Sequence, residues 1–479
     1  MNAIDPKTVS DRVTRAVAAA GAEPWLVGYH ANGIQELIAA CGRPISMRGA
    51  SETILAFDAE AHGGELTIFA GGGRGVVLAR SEAEARTAVH TFVERYCEVT
   101  RGGVMAACAV PLKRGGDAEA QSIRWLRHRL DIAKDAARPP GGVLPDNKEL
   151  ECAYCRGYRG TRPRKRDDQV EMVCARCDAM LESGRRAGEQ RGHRRGEMSQ
   201  SIADIAEHDR IAVISADGNN LGALFESLRG LVELAAVSEA VAAIFTQAHT
   251  GALACVAADS RLPLMTGGDD VRAFIPPSAV IPYVETLVDV VETAASAHAR
   301  ALGELVSPAT AGLLGGLGVG IGAVIAGVYY PAWRLVDHAH TLERSAKAAC
   351  YARGWRSGFD FAVVTTEDAM TVEPDRTPRA RDLRPLRPRS DAWRDALRDA
   401  RALRRIPSAQ LGVLVAAQTL DDAELGNALR YQVARSSAWQ AWYSTCGVDW
   451  RDPRAVLERR PDRGLLELAR LLAFEEAVA

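Results

Sequence analysis

Three aspartates and one lysine carry the residue types and spacing for phosphate chemistry. An apolar run, Ile211–Ser215, leads into Ala216-Asp217-Gly218-Asn219-Asn220 and then into a helical pattern from Leu221. Some fifty residues after Asp217, two short apolar runs flank Gly267-Gly268-Asp269-Asp270. If these strands are neighbours in one sheet, three carboxylates converge at its edge, and no cationic partner is evident near them in sequence. Like charges that close repel unless cations neutralise them. Hard oxygen ligands of this kind suit Mg²⁺ or Mn²⁺, which keep waters and add substrate phosphates to their shell. Two such ions would serve nucleotidyl transfer, activating an attacking hydroxyl and stabilising a leaving pyrophosphate. Gly267 and Gly268 allow the sharp turn and a close approach of backbone to a triphosphate. Each segment alone is also a good turn sequence; their pairing, order and buried-strand flanks favour a site.

A second set of residues has metal-ligand spacing. Cys152-x2-Cys155, eighteen residues, then Cys174-x2-Cys177 matches a zinc ribbon, four thiolates closing a tetrahedral structural site. A catalytic zinc would need an open position, and a redox CxxC would not explain two pairs. Cys41, Cys97, Cys108, Cys255, Cys350 and Cys446 read as small core or surface residues. Around the pairs lie Arg156, Arg159, Arg162, Arg164, Lys165 and Arg166, then Arg185, Arg186, Arg191, Arg194 and Arg195. Arginine forks held by knuckles fit RNA phosphates; a solvated charged loop accounts for them equally well.

The elements that must position the aspartates occur twice. Strand-like Trp25–His30 leads into Ala31-Asn32-Gly33 and a helical pattern, and later comes a strand, a Gly71–Gly75 turn and a strand. Side by side, Asp217 falls on Asn32, and Asp269 and Asp270 fall on Gly73 and Arg74. The chain thus reads as two copies of one α/β unit, the first having lost its carboxylates and forming one wall of a cleft. After the second hairpin, residues 316–330 read as a strand and Pro331 opens a helix carrying Lys347. A final strand, Gly358-Phe359-Asp360-Phe361, closes the unit. Six of the 59 basic residues are lysines, and Lys347 is the last of them. A lone lysine there suits a point charge against phosphates, or a solvated helix face.

Composition sets the frame. The chain has 479 residues, 47% hydrophobic and 25% charged, which excludes a disordered or disulfide-dense protein. A net charge of −2 points to no polyanion partner except through local patches. The uncharged stretch from Ala309 to Trp333 is long enough for a bilayer but broken by glycines. It reads as a loop followed by a buried strand. The opening MNAIDPKTVSDRV carries acids and no apolar signal core, so no membrane and a cytoplasmic location are expected.

Asp217–Gly222, the Thr266–Asp270 turn, Tyr330-Pro331, Ser345-Ala346-Lys347 and Phe359–Phe361 together resemble the polymerase/cyclase palm. In particular they resemble the palm-containing large subunit of type III CRISPR effector complexes, with GGDEF cyclases as more distant relatives. The resemblance covers nearly everything from residue 25 and is strongest over 205–365. It implies an α+β chain: two ferredoxin-like palms, an intervening zinc ribbon and a C-terminal helical bundle. The implied domains are an N-terminal helix (1–24), a degenerate first palm with helical linker (25–148) and the ribbon (149–200). An active GGDD palm (201–372), a linker (373–390) and a helical domain (391–479) follow. It further implies condensation of ATP into a cyclic oligoadenylate messenger in RNA-triggered antiviral defence, with guide or target RNA and other effector subunits as partners and a homo-oligomer left open. Asp217, Asp269 and Asp270 would be catalytic metal ligands, and Lys347 would meet the triphosphate. Gly267 and Gly268 would lie beneath the phosphates, and Asn219 and Asn220 near the nucleotide. The family pattern has a second aspartate at Asn219, which bears on metal affinity. Residues 1–24 are too short for the family's HD nuclease, so no DNase activity is expected. Two other readings remain: a catalytically silent RNA-binding scaffold subunit, and a stand-alone cyclic-dinucleotide synthase.

Overall fold

A computed structural model describes residues 4–137, 151–166, 169–190, 202–364, 383–407, 409–411 and 422–474. The chain is α+β. A capped helix leads in: α1 (Pro6–Ala19) starts at Asp5, whose carboxylate accepts from the Lys7 and Thr8 N–H groups, with Pro6 in the first turn. Its buried stripe is Val9, Val13 and Ala16.

The first unit runs β1 (Trp25–Asn32), α2 (Ile34–Ala39), α3 (Pro44–His62), β2 (Thr67–Gly71), β3 (Arg74–Ala79), α4 (Glu82–Thr100) and β4 (Val104–Pro111). The helix α5 (Gly116–Ala136) follows it, and residues 138–150 lie outside the described residues. Between the units, β5 (Arg162–Arg166) and β6 (Gln169–Val173) form a two-stranded ribbon, followed by α6 (Ala175–Gln190). The second unit, after the short α7 (Ile202–Ile205), runs β7 (Arg210–Gly218), α8 (Leu221–Glu226), α9 (Leu231–Leu253), β8 (Leu262–Gly267) and β9 (Asp270–Ile275). It continues through α10 (Val280–Ala301), α11 (Pro308–Gly315), β10 (Val319–Gly327), α12 (Ala332–Arg353) and β11 (Gly358–Val363).

The first sheet has the order β2-β3-β1-β4 and the second β11-β10-β7-β9-β8. Laying β1 to β4 on β7 to β10 reproduces one order in both, with β11 added in parallel outside β10. The two-copy reading therefore holds at the level of topology. Its residue matching shifts in one place. Register sets His30 across from Arg74, whereas one step beyond Ala216↔Val271 lies Asp217 beside Asp270. The Asn32 side chain instead donates to the Lys134 carbonyl at 2.9 Å, at the end of α5.

β7 and β10 are buried almost end to end, as strands covered on both faces must be. One face of the second sheet is covered by α9 and α10. The other is covered by α12 and, from the first unit, by α3, through Met47 and Ala50. The helix α9 is long and apolar enough to cross a membrane by composition, and here it packs against α10, α1 and β2.

Two expectations need correction. The stretch after Ala309 begins with a helix and not a loop. Ser307 accepts from the Thr310 N–H and Pro308 fills the first turn, so α11 is properly capped despite its glycines. The later part of the expected linker is built into the fold. Leu386 bridges to Phe359 on β11, and the buried Arg384 donates to the Phe361 carbonyl at 2.8 Å and pairs with Glu467. Arg376, Arg379 and Arg381 lie outside the described residues. The chain closes with α13 (Asp391–Leu403) and helices over Asp422–Arg435, Ser437–Thr445, Pro453–Glu458 and Arg463–Leu472. Buried Trp393 pins them to the second unit, donating to Glu285 at 2.7 Å and meeting Phe359 edge-on.

Candidate active site

Antiparallel pairing of β7 with β9 brings the expected aspartates together. Gly267 pairs with Asp270 across the hairpin turn, Ser215 with Arg272 and Ala216 with Val271, so Asp217, one residue before the end of its strand, lies beside that turn. Asp269 and Asp270 keep some solvent contact but lie deep in a recess between the two units. Burial first, and then the Asp217 carboxylate, push Asp269 well above the ordinary carboxylate range. The same two causes push Asp270 up to about 6, against Arg272 and Arg74.

Lys347 changes the expectation that the carboxylates lack a cation. Its ammonium is hydrogen-bonded to Asp217 Oδ2, and Asp217 holds its pKa above the ordinary value against the opposing effect of burial. The glycines of β10 make this contact. A Cβ on Gly320 would lie 2.3 Å from Lys347 Cγ, and one on Gly322 would lie 2.1 Å from the Ala339 carbonyl oxygen. Without side chains there, α12 lies directly on the sheet and hands Lys347 to Asp217.

Four residues earlier on α12, Glu343 is buried beneath the site. Ser215 Oγ donates to Glu343 Oε2 at 2.6 Å and accepts from Arg272 Nε at 3.2 Å. Both Glu343 and Arg272 are 1% exposed, a buried charge pair bridged by one hydroxyl. Sequence reasoning missed Ser215, Arg272 and Glu343. The available signals were period two along the strands (215 and 217, 270 and 272) and period four on the helix (343 and 347).

Asn219 and Asn220 part company. Asn219 is 1% exposed, and its side-chain amide donates to the Arg356 carbonyl at 2.8 Å, bracing the loop between α12 and β11. Asn220 has φ +64° at the start of α8, and its N–H faces the hydroxyl of Tyr351 at 3.4 Å. Exposed Tyr351 stands one turn beyond Lys347 and was not foreseen.

The first unit completes the recess. Gln35 Nε2 donates to Asp270 Oδ1 at 3.2 Å, and Gly72 abuts Gly268. A cavity of about 290 Å³ opens between the units, lined by His30, Arg74 and Lys134 on one side and Leu221, Phe225 and Asp269 on the other. Burial first, then Arg74 and Lys134, hold the His30 imidazole down at about 3, so it is neutral at pH 7. The cavity is thus a largely apolar slot that carries both cations, Arg74 and Lys134, and the Asp269 carboxylate, a mixed lining that suits a nucleotide.

The four ribbon cysteines form a second centre. Among the described residues, Cys152, Cys155, Cys174 and Cys177 are the group of metal-ligand residues with sulfurs all within 4.8 Å of one another. Asp217, Asp269 and Asp270 are not drawn together to that degree. N–H groups of Cys174 and Cys177 point at the sulfurs of Cys152 and Cys174, at 3.2 and 3.4 Å. Hydrogen bonding among the thiols, to Cys155 first, pulls Cys152 far below the ordinary thiol range, while Cys152 first pushes Cys177 far above it. Four sulfurs this close, with backbone N–H groups directed at two of them, suit a thiophilic cation. Of the ribbon arginines, Arg162 and Arg164 are engaged internally with Asp178, and Arg164 also with Glu182, which reduces the patch open to RNA. The side chain of Arg166, and Arg191, Arg194 and Arg195, lie outside the described residues.

Residues 210–352, the span from β7 to α12, match the family model described as the Cas10/Cmr2 second palm domain. The second unit is a Cas10/Cmr2-type palm. Csm1 of T. onnurineus has a similar structure at 14% identity, with a TM-score of 0.53 over 96% of this chain and 71% of that one. A Csm1–Csm4 cassette in complex with AMPPNP is 15% identical over 97% of this chain and 72% of that one, with a TM-score of 0.49. The cassette in complex with cA4 is 14% identical over 97% and 71%, with a TM-score of 0.46. A search of curated proteins gave no match. At these identities the structural likeness is one of fold alone.

Proposed function

We propose that this Cas10-like chain condenses ATP into a cyclic oligoadenylate by two-metal nucleotidyl transfer, as the large subunit of a type III CRISPR-like, RNA-triggered defence complex. The observation that carries the reading is the meeting of Asp217, Asp269 and Asp270 at the glycine turn of a Cas10/Cmr2-type palm. The donor set fits a divalent cation: three hard oxygens in one recess, two with pKa values raised by burial and by the Asp217 charge. Asp217, Asp269 and Asp270 would hold Mg²⁺ or Mn²⁺, which supply activation of the attacking hydroxyl and charge neutralisation at the leaving pyrophosphate.

The chain's own residues do the rest. Gly267 and Gly268 let the triphosphate approach backbone N–H groups, and the apolar slot takes base and ribose while excluding water. Lys347 has two anions to serve. Without nucleotide it balances Asp217; a triphosphate entering the recess draws the ammonium across and leaves the Asp217 carboxylate free to bind a cation. Substrate and metal binding are thereby coupled through one side chain. Asn220 and Tyr351 border the nucleotide, and Asn219 contributes by holding the loop at Arg356. The four cysteines would hold structural zinc. The six-part domain division, the RNA and effector-subunit partners, and a cytoplasmic location belong to the same proposal.

The test is product analysis with Mn²⁺ and ATP, comparing wild type with Asp217→Asn. Loss of product with ATP binding retained supports Asp217 as a metal ligand for the chemical step. A wild type that binds ATP and makes no product, with or without RNA and partner subunits, would favour a silent scaffold.

A further inference from the structure

The first palm has lost its carboxylates, yet its own glycine hairpin ends against the catalytic turn. A Cβ on Gly72 would lie 3.0 Å from both the Cα and the N of Gly268 and 3.2 Å from the carbonyl carbon of Gly267. The contact is backbone on backbone, so no flexible side chain can give way. Gly72 has φ +65° and Gly73 φ +74°, a tight turn that glycine adopts at no cost. That turn is clamped from behind. The Asp58 carboxylate, 4% exposed on α3, accepts the Gly73 N–H at 2.7 Å and faces the Tyr29 hydroxyl at 3.4 Å. Two residues into α2, Gln35 donates its amide to Asp270 Oδ1 at 3.2 Å. One unit thus touches the catalytic hairpin of the other at its backbone and at a carboxylate.

We infer that the degenerate first palm is a positioning device for the GGDD turn, with Gly72, Asp58 and Gln35 as its positioning residues. Gly72 sets the depth of the turn, Asp58 fixes the hairpin that carries Gly72, and Gln35 orients Asp270 by occupying one carboxylate lone pair. This explains why a palm without ligands keeps a glycine-rich hairpin and a buried acid behind it. Displacing reacting groups by about 1 Å costs on the order of 100-fold in rate. A Cβ on Gly72 at 3.0 Å displaces the turn by a few tenths of an ångström, so Gly72→Ala should lower kcat about tenfold, with KM for ATP changed far less. This rests on the reading of Asp269 and Asp270 as catalytic, so the deciding readout is chosen to be independent of turnover.

That readout is amide hydrogen exchange of residues 262–275 in the full chain, for Gly72→Ala, Gln35→Ala, Asp58→Ala and Asp58→Asn, with Gly71→Ala as control. A Cβ on Gly71 meets nothing within 4 Å. Exchange at Gly267–Val271 should rise about tenfold in Gly72→Ala and Asp58→Ala and less in Gln35→Ala. It should return to the wild-type rate in Asp58→Asn, which keeps an acceptor for Gly73, and stay there in Gly71→Ala. Half-buried Gln35 can be replaced without unfolding the chain, so a turn loosened by Gln35→Ala supports the inference even if Gly72→Ala is unstable. Exchange at the turn equal in all variants overturns it. Altered exchange with no ATP turnover in wild type refutes the catalytic reading and leaves the positioning contact standing. Unaltered exchange with turnover does the reverse.

Discussion

Lys347→Met gives two effects of opposite sign. The Lys347 and Asp217 side chains are each 21% exposed, so their ion pair is partly desolvated. An ammonium and a carboxylate in contact at an effective dielectric near 20 attract by about 4 kcal/mol. Desolvation and lost side-chain freedom offset most of that, leaving on the order of 1–2 kcal/mol. A divalent cation binding at Asp217 without nucleotide must overcome this net term. Replacing Lys347 with apolar methionine of similar length removes the competitor while keeping the packing on Gly320. Mn²⁺ affinity of the nucleotide-free protein should then rise about tenfold, the equivalent of 1.4 kcal/mol. With ATP present the sign reverses: the triphosphate loses its charged partner, and KM for ATP should rise about tenfold or more. Calorimetric titration with Mn²⁺, followed by steady-state turnover, reads both. Unchanged or weaker Mn²⁺ binding in the nucleotide-free variant would refute the claim that Lys347 stands in for a cation at Asp217.

Asn219→Asp should destabilise the fold by about 1–3 kcal/mol, because a buried carboxylate would replace the amide that donates to the Arg356 carbonyl. Urea unfolding checks this, and an unchanged midpoint would refute it. Cys174→Ser should cost one bound zinc per chain and several kcal/mol of stability, since structural zinc sites carry folding energy outright. Metal analysis with thermal unfolding decides it, and zinc-free protein with an unchanged transition would contradict a structural site. Burial pushes Asp58 up to about 6, so its ionised form is disfavoured in the fold. Its contribution to stability is full below pH 4 and lost as pH rises through 6, amounting to about 3 kcal/mol at most. Against Asp58→Asn, which stays neutral, the wild type should weaken steadily between pH 4 and 7. A pH-independent difference would show that Asp58 is not held in this environment.

The site's skeleton was legible because local and global signals agree. Asp217 follows a buried strand, and Asp269 and Asp270 sit in a turn that only a hairpin accommodates. The matching hairpin at Gly71–Gly75 announced the shared strand order. What escaped the sequence is what tertiary packing alone creates. Gly320 and Gly322 were visible as strand glycines, but their purpose appears only when α12 is laid across them. Ser215, Arg272 and Glu343 lie in three separate elements and meet through strand pairing and helix packing. Gln35 reaches Asp270 from another unit, and Arg384, in the stretch expected to be a linker, is buried against Glu467. The helix at Pro308 is a different case. Its Ser-Pro start was a readable cap that the surrounding glycines obscured.

The most direct test of nucleotidyl transfer at this palm is mass spectrometry of products formed from ATP with Mg²⁺ or Mn²⁺, with and without copurified RNA and partner subunits. Wild type should yield a cyclic adenylate that disappears in the Asp269→Ala/Asp270→Ala double variant. A product that persists at the wild-type rate in that variant would contradict the assignment of the active site.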